Sequence, residues 1–471
     1  MRQIGRNIFS LGISRVVSGI IIFVVYIKLV TYLGPTEFGK FALVLTYYTI
    51  FLLLVDLGIS KYAIKKISED RSRALHYLSN FFIAQFLVST AVLLCFFVIS
   101  EIANYESDVR AAMLLAGIGL FFGSLSNPFG AIVQAWQKLH VLAAVNFINT
   151  IINAAWLLFA IYTGKSFVFT FWVYSIIGIL GFVIYAAAAS RLTPLGGAWD
   201  RKLLNRNLVS NMLIYGLPFA FISGFEILIA KADSIIQKFF LPYSDVGLYA
   251  GAYRFIDALT FIPAVIAISL FPFIAEKTDL QDQEVKNTFN HWNRYLLALA
   301  IPLGVGASLL ADKIVLTLFD ERYTGSILPF QILIWAAVAT FVYAVPNVIM
   351  IVKKTKATVW VLSAVAVFNI IANLFFVPRY GIAASAWLTV LSYVLVGAFY
   401  LVISKKLSSY RLLSFGVYPL LASVPMGLVV WQLRSINLFL AIGIGAAVYL
   451  AVLIATGFLK KEDWIFVRSL L

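Results

Sequence analysis

The sequence predicts an all-α polytopic membrane protein with about fourteen transmembrane helices. Of the 471 residues, 62% are hydrophobic and 12% are charged, which leaves too little polar surface to cover a soluble chain of this size. Apolar runs of about 20 residues recur along the chain, and a helix of that length crosses ~30 Å of hydrocarbon. The alternating ten-residue strands that are typical of membrane barrels do not occur in the sequence, so helices are the expected spanning elements.

The apolar runs and the basic residues between them predict the topology. If the N-terminus is cytoplasmic, the inner segments hold 24 Lys and Arg residues and the outer segments hold 8, so the positive-inside rule places both termini in the cytoplasm. The net charge of +15 is mostly this bias, and no soluble basic domain indicates nucleic-acid binding. The predicted spans are residues 8–32, 40–60, 78–100, 111–133, 141–162, 167–190, 211–237, 247–273, 294–311, 327–351, 357–377, 381–403, 412–433 and 437–459.

Two sequence echoes indicate an internal duplication. The segment LPYSDVGLYA at 241–250 repeats LGPTEFGKFA at 33–42, 208 positions later, and an Asn-x3-Asn motif at Asn149 recurs at Asn369, 220 positions later. Six predicted spans separate the first pair, so the two halves are expected to share one orientation, as parallel transporter repeats do. The expected organisation is an N-lobe (1–192, helices 1–6), a cytoplasmic linker (193–210), a C-lobe (211–404, helices 7–12), and helices 13–14 with a cytoplasmic tail (405–471).

Signatures of enzyme chemistry are missing from the sequence. Cys95 is the one cysteine, and His76, His140 and His291 are far apart with no metal-ligand spacing. No phosphate-binding P-loop occurs either, and the predicted outer loops are too short to carry the active site of a membrane glycosyltransferase or polymerase. We therefore expect a transporter without a resident cofactor, driven by a gradient of Na⁺ or H⁺ or by that of its substrate.

Ionisable residues inside the predicted spans are the candidate site. Inserting such a residue at a helix centre costs roughly 2.5–3.5 kcal/mol unless it is paired or hydrated. The sequence has eight of them, four basic and four acidic, and all eight fall in the first two helices of a predicted lobe. Cations spread along a chamber can bind a phosphate that sheds its water, and buried acids can bind a coupling ion. The cations predicted to bind a phosphate are Arg15, Lys28, Lys231 and Arg254, with Tyr249 and Tyr253 beside Arg254, and the acids predicted to couple an ion are Glu226, Asp233, Asp257 and Asp56.

Structural roles are the alternative for each of these residues. Arg254 and Asp257 are three residues apart and form a ready intrahelical pair. Arg15 and Asp56 both lie near the predicted cytoplasmic side and could form a static clamp, while Lys28 could extend its ammonium group to the outer interface. Aromatic residues, 15% of the chain, are mostly expected to face lipid or to anchor helices at the interface.

Three segments together resemble a known family. They are TYLGPTEFGKFALV with the following LVDLGIS, PYSDVGLYAGAYR with FIPAVIAISLFPFIAE, and VPRYGIAASAWLTVLSY. The combination is similar to the polysaccharide-transporter branch of the multidrug/oligosaccharidyl-lipid/polysaccharide exporter superfamily, which includes Wzx-type O-antigen flippases. The resemblance implies two six-helix bundles in a V arrangement in the inner cell membrane. It also implies an alternating-access flippase that moves polyprenyl-diphosphate-linked oligosaccharide to the outer leaflet, alongside glycosyltransferases or a glycan polymerase. In such a flippase the diphosphate would bind the cations Arg15, Lys28, Lys231 and Arg254, and the sugar would stack on Tyr249 and Tyr253.

Other functions stay open on the sequence alone. A lipid II flippase would share the fourteen spans and the basic residues. A multidrug exporter would expel organic cations, which a chamber lined by cations disfavours. A membrane glycosyltransferase or polymerase would turn sugars over, whereas a flippase moves its lipid-linked glycan without covalent change.

Overall fold

The computed structural model describes residues 2–197 and 204–458, apart from the side chains of 2–16, 216, 218, 219 and 413. The described residues form helices and no strand, which confirms the predicted all-α class. The α-helices are α1 (Arg2–Asp56), α2 (Ile59–Glu69), α3 (Ala74–Ile102), α4 (Ser107–Leu125), α5 (Asn127–Ala135), α6 (Leu139–Tyr162), α7 (Phe167–Thr170), α8 (Trp172–Ser190), α9 (Arg206–Phe240), α10 (Tyr243–Glu276), α11 (Gln283–Leu309), α12 (Ala311–Leu318), α13 (Ile327–Val342), α14 (Ala344–Lys353), α15 (Thr355–Lys405), α16 (Leu413–Gln432) and α17 (Leu438–Ala455).

The two longest helices are each broken at a glycine. A straight helix of ~50 residues would be ~75 Å long, about twice the thickness of a bilayer. Gly34 (φ 70°, ψ 170°) breaks α1, and Gly381 (φ 61°, ψ −150°) breaks α15. Residues with a side chain rarely adopt a positive φ, which is why glycine stands at both positions. We call the resulting segments α1a (2–33), α1b (35–56), α15a (355–380) and α15b (382–405).

The number of membrane spans is lower than predicted when each helix counts once. In the described part of the chain, ten helices are long and apolar enough to cross a membrane, or up to twelve if two bent pairs are each one span. The bent pairs are the two parts of α9, at 51°, and α11 with α12, at 77°. Val17–Glu69 and Thr355–Lys405 count once each, although each contains a glycine break and two predicted spans. The predicted count of fourteen is therefore not confirmed.

Contacts divide the chain into two compact units, Met1–Gly247 (unit 1) and Leu248–Leu471 (unit 2). Unit 1 contains α1 to α9 and the first turn of α10, with α1 packing against α4, α6 and α9. Its crossing of α4 and α8 is close, because a Cβ added at Gly178 would lie 2.7 Å from the carbonyl oxygen of Gly119. The predicted lobes are defined from the sequence repeat and the two units are defined from contacts, so the units do not test the lobe boundaries. Those boundaries stay a prediction.

A buried polar ladder joins the two segments of α15 in unit 2. The Asn369 amide donates to the Ser392 hydroxyl at 2.9 Å, and the Ser385 hydroxyl donates to the Asn373 side-chain oxygen at 2.8 Å. All four side chains are fully buried. Polar groups in an apolar interior must find partners, so this ladder fixes the register of α15a against α15b.

Candidate functional site

Arg254 lies in α10 beside the acid predicted to pair with it. One guanidinium nitrogen, Nη1, is 3.7 Å from Oδ2 of Asp257, one turn later on the same helix. The side chains are 20% and 41% exposed, so neither is locked in dry packing. A partly exposed pair at this distance adds little stability, and a guanidinium group carries five donors that suit a phosphate.

Tyr249 and Tyr253 pack α10 against α15b. Their exposed fractions are 1% and 5%. The Tyr249 hydroxyl lies 3.1 Å from the Thr389 hydroxyl, and the Tyr253 hydroxyl lies 3.4 Å from that of Tyr393. Both pairs are four residues apart on each helix, so they form one packed row. A sugar could stack on these rings only if the helices separated, and the stacking role stays a prediction.

Two polar residues share a buried face of α9. Asp233 is fully buried, and its Oδ1 accepts the backbone N–H of Ser234 at 2.9 Å. Gln237 follows one turn later and is also fully buried, and neither atom of its amide has a hydrogen-bond partner in the described part of the chain. A carboxylate and a carboxamide one turn apart thus bring hard oxygen atoms to one place.

Glu226 and Lys231 complete the predicted residues on α9. Glu226 is exposed to solvent although protein surrounds it, and Lys61 of α2 is the charge that acts on it. An ionisable residue of a membrane helix is tolerated where it is hydrated or paired, and Glu226 is accessible enough to be hydrated. Lys231 is half-buried.

The predicted residues of α1 lie on both of its segments, with Lys28 near the end of α1a and Asp56 as the last residue of α1b. The Lys28 ammonium group is exposed and lies 3.4 Å from the Tyr162 hydroxyl. Oδ1 of Asp56 accepts the backbone N–H of Ser60 at 3.3 Å and also binds the Ser60 hydroxyl, so Asp56 caps the start of α2. The side chain of Arg15 lies outside the described residues, which leaves the proposed clamp with Asp56 untested.

Lys40 is a charge centre that the sequence did not single out. It is 8% exposed, and its Nζ lies 2.7 Å from Asp108, 2.8 Å from Glu106 and 3.3 Å from Glu37. Helical spacing could have predicted the pairing of Lys40 with Glu37, which lies one turn earlier on the same helix. The acids at the start of α4 are 66 and 68 positions away, and no local pattern predicts such a contact.

A tyrosine pair lies next to this centre. The hydroxyl groups of Tyr47 and Tyr105 are 2.9 Å apart, and Tyr105 lies in the loop between α3 and α4. Burial raises the pKa of Tyr105, although its hydrogen bond to Tyr47 acts in the opposite direction. The phenol therefore stays neutral at physiological pH and can donate a hydrogen bond.

Unit 2 contains an apolar cavity of about 480 Å³ between α11, α16 and α17. Pro302 and Gly306 line it from α11, Met426 from α16, and Gly445 and Ala446 from α17. Small residues on α17 leave the space open, because they place no long side chain into it. The helices that the sequence places outside the duplication thus form one wall of this cavity.

The structure groups the predicted residues by helix. Glu226, Lys231 and Asp233 lie on α9 in unit 1, and Arg254 and Asp257 lie on α10 in unit 2 with the two tyrosines.

A family model described as a polysaccharide biosynthesis protein matches residues 4–277, which is more than half of the chain. The chain belongs to this family. The match confirms the predicted membership among polysaccharide transporters. It covers both copies of the repeated segment, at 33–42 and 241–250, which we call the signature segment.

Relatives and solved structures agree with the family and the fold. This chain is 25% identical over 344 residues to the EPS I polysaccharide export inner membrane protein EpsE of Ralstonia nicotianae, covering 67% of this chain and 73% of that protein. It is 22% identical over 247 residues to an uncharacterized membrane protein of Methanocaldococcus jannaschii, and this match covers 51% of the chain and 48% of the archaeal protein. The chain thus spans about half the length of the archaeal relative.

Two solved structures share the fold of the polysaccharide biosynthesis protein. The lipid II flippase MurJ in an inward closed conformation superposes with a TM-score of 0.77 at 15% identity, covering 98% of this chain and 99% of MurJ. The MATE transporter VcmN of Vibrio cholerae superposes with a TM-score of 0.61 at 12% identity, covering 86% and 97%. At these identities the likeness shows a transporter fold, and it identifies no substrate.

Proposed function

We propose that this protein is a flippase that moves a polyprenyl-diphosphate-linked oligosaccharide from the cytoplasmic to the outer leaflet of the cell membrane by alternating access. The observation that carries the proposal is Arg254, a partly exposed guanidinium group on a membrane helix. Such a charge is costly in a bilayer unless it serves a hydrated pathway. In a polysaccharide transporter, a diphosphate is the anionic part of the cargo that this group would bind.

The cargo has an apolar part as well, and the cavity of unit 2 suits it. A polyprenyl tail needs a space without polar groups that lies within the membrane region. The cavity between α11, α16 and α17 has this character, because its lining consists almost entirely of apolar residues. We assign the tail to this cavity and the diphosphate to Arg254 of α10 in the same unit, with glycosyltransferases or a glycan polymerase as partners.

An ion gradient is the proposed energy source. Asp233 and Gln237 present a carboxylate and a carboxamide on one buried face, and oxygen atoms of this kind bind Na⁺ or release H⁺. Glu226, which is accessible, could exchange a proton with water. Binding of the ion at α9 would then bias the helices between their two arrangements.

The direct test is transport by the purified protein in proteoliposomes. A polyprenyl-diphosphate-linked disaccharide that is fluorescent on its sugar is placed in one leaflet, and its arrival in the other is followed with an impermeant quencher. We expect protein-dependent movement, with the lipid-linked sugar chemically unchanged on chromatography. Lipid II in the same assay separates the two flippase functions, and sugar turnover without movement would support a glycosyltransferase or polymerase instead.

A further inference from the structure

The two copies of the signature segment cross each other backbone to backbone. A Cβ added at Gly39 would lie 1.8 Å from the carbonyl oxygen of Tyr243, and one added at Gly247 would lie 1.9 Å from that of Pro35. Both distances are far below any real contact of a Cβ atom, so only glycine fits at either position. The first turns of α1b and α10 therefore touch without side chains between them.

The crossing is reciprocal with respect to the internal duplication. Gly247 repeats Gly39, and Tyr243 repeats Pro35, each 208 positions later. In each copy, the glycine follows the contacted residue by four positions: Gly39 follows Pro35, and Gly247 follows Tyr243. Each glycine contacts the first residue of the other copy's pair, Gly39 with Tyr243 and Gly247 with Pro35. The duplication thus preserved two glycines that work as a matched pair, because neither alone allows the backbones to approach this closely.

Charged side chains surround the crossing. Lys40 follows Gly39 and binds Asp108 and Glu106 at the start of α4. The buried ring of Tyr243 lies between two ammonium groups, with Lys238 at 4.0 Å and Lys40 at 5.7 Å from its centroid. The cation–π contact of Lys40 with Tyr243 joins α1b to α10, and the ion pairs of Lys40 hold its ammonium group against the start of α4.

These interactions are of a kind that can be released. The side chains of Glu37, Glu106 and Asp108 are 40%, 58% and 34% exposed, so water can replace Lys40 as their partner at low cost. A close backbone crossing gains dispersion energy only while the surfaces fit, and it is lost at once when they move apart. Contacts of this kind can therefore be broken and formed again, as a gate requires.

We propose that the crossing of α1b and α10 at Gly39 and Gly247 is a latch that is closed in this structure and opens during the transport cycle. The basic residues place it at the predicted outer end of both helices. The inference rests on the proposed flippase function, because a flippase must open and reseal its outer side. Lys40 sets how readily the latch opens, and the two glycines allow it to close.

The test uses a cysteine reporter beside the latch in the full-length protein. Ala42 is 6% exposed on the same turn of α1b, so Ala42→Cys in a Cys95→Ala background should react slowly with a membrane-impermeant maleimide. Adding Gly39→Ala or Gly247→Ala should raise the reaction rate at least about tenfold, since overpacking prevents closure. Gly19→Ala is the matched control, because an added Cβ there meets nothing within 4 Å.

A milder variant guards against misfolding of the glycine variants. Lys40→Gln removes the charge without a steric clash and should raise the labelling rate by about two- to fivefold, as expected for the loss of weak ion pairs. Equal labelling in the glycine variants, Lys40→Gln and Gly19→Ala would overturn the latch. If labelling rises as expected but no lipid-linked glycan moves in proteoliposomes, the latch stands and the flippase function fails.

Discussion

At the scale of single residues, charge and burial decide what each candidate can do. Asp233 is fully buried and Arg254 is partly exposed, although both are charged residues of membrane helices. A buried acid is well placed to exchange an ion or a proton, whereas an exposed guanidinium group is suited to an anion that arrives and leaves. Both residues belong to the same duplicated region, and their different burial is the reason we propose different roles for them.

Replacement of Arg254 tests the anion site. Arg254→Ala should lower the kcat/KM for flipping about 10- to 100-fold, the loss expected for a charge-assisted hydrogen bond to phosphate. Arg254→Lys should retain part of the activity because it keeps the charge but loses the planar donors. Arg110→Ala is the control, since Arg110 pairs with Glu101 at 2.9 Å near the start of α4. Full activity of Arg254→Ala at wild-type protein level would remove Arg254 from the mechanism.

Replacement of Asp233 tests ion coupling. Asp233→Asn keeps the shape of the side chain but removes its charge, so the initial flipping rate should no longer respond to an imposed Na⁺ or pH gradient. The measurement compares rates with and without each gradient in proteoliposomes. Asp279→Asn, at an exposed position between α10 and α11, should respond as the wild type does. A gradient response that survives in Asp233→Asn would assign coupling elsewhere, with Glu226 as the next candidate.

Sequence reasoning could find charged residues but not their long-range partners. Arg254 and Asp257 were predicted as a pair because helical geometry brings residues three apart together. The Lys40 centre was not predicted, because its acids come from α4, and the distance along the chain carries no signal. The burial of Tyr249 and Tyr253 was missed for the same reason, since α15b covers them.

At the scale of elements, glycine determines where the long helices stop. The sequence predicts separate spans at 8–32 and 40–60, and at 357–377 and 381–403, because each of these apolar runs is long enough for one membrane crossing. The structure puts the breaks at Gly34 and Gly381. Run length predicts that a break must exist, and the positive φ of each glycine shows how the backbone achieves it.

The conformation at Gly381 predicts a specific cost of substitution. Gly381→Ala should lower stability by about 1–3 kcal/mol, since φ 61° with ψ −150° is a region that alanine avoids. Thermal unfolding of the purified protein in nanodiscs measures this difference. Gly443→Ala, at a helical position in α17 where an added Cβ meets nothing within 4 Å, should leave stability unchanged or slightly higher. Equal behaviour of both variants would mean that Gly381 carries no backbone strain.

The apolar cavity makes a second prediction for the elements. Ala446→Phe should fill part of the cavity of about 480 Å³ and lower flipping severalfold for a long polyprenyl tail. A substrate with a short prenyl chain should be affected less, because it needs less of the space. Ala447→Phe is the control, since Ala447 is exposed, adjacent in sequence and not part of the lining. Equal loss for both substrates would place the tail outside this cavity.

At the scale of the whole molecule, the duplication explains why the family match spans both signature segments. The sequence predicts two copies with one orientation, which would supply two equivalent helix pairs, and the charged candidates lie on those pairs. The copies have since diverged: α15 carries the Asn–Ser ladder, whereas the side-chain oxygens of Asn149 and Asn153 in α6 have no hydrogen-bond partner in the described part of the chain. Lys165 and Trp172 stand where the ladder has Ser385 and Ser392. Repeats thus predict architecture better than they predict local chemistry.

The parallel arrangement predicts which side of the membrane each loop faces. With 24 basic residues in one set of segments and 8 in the other, the charge bias places Ser68 in the cytoplasm and Ser166 outside. Both serines are exposed, so single cysteines at these positions in a Cys95→Ala background should be accessible to reagents. In intact cells an impermeant maleimide should label Ser166→Cys at once and Ser68→Cys only after permeabilisation. The opposite pattern would invert the molecule, and Gly39 and Gly247 would then meet at the cytoplasmic side, where a flippase takes up its cargo.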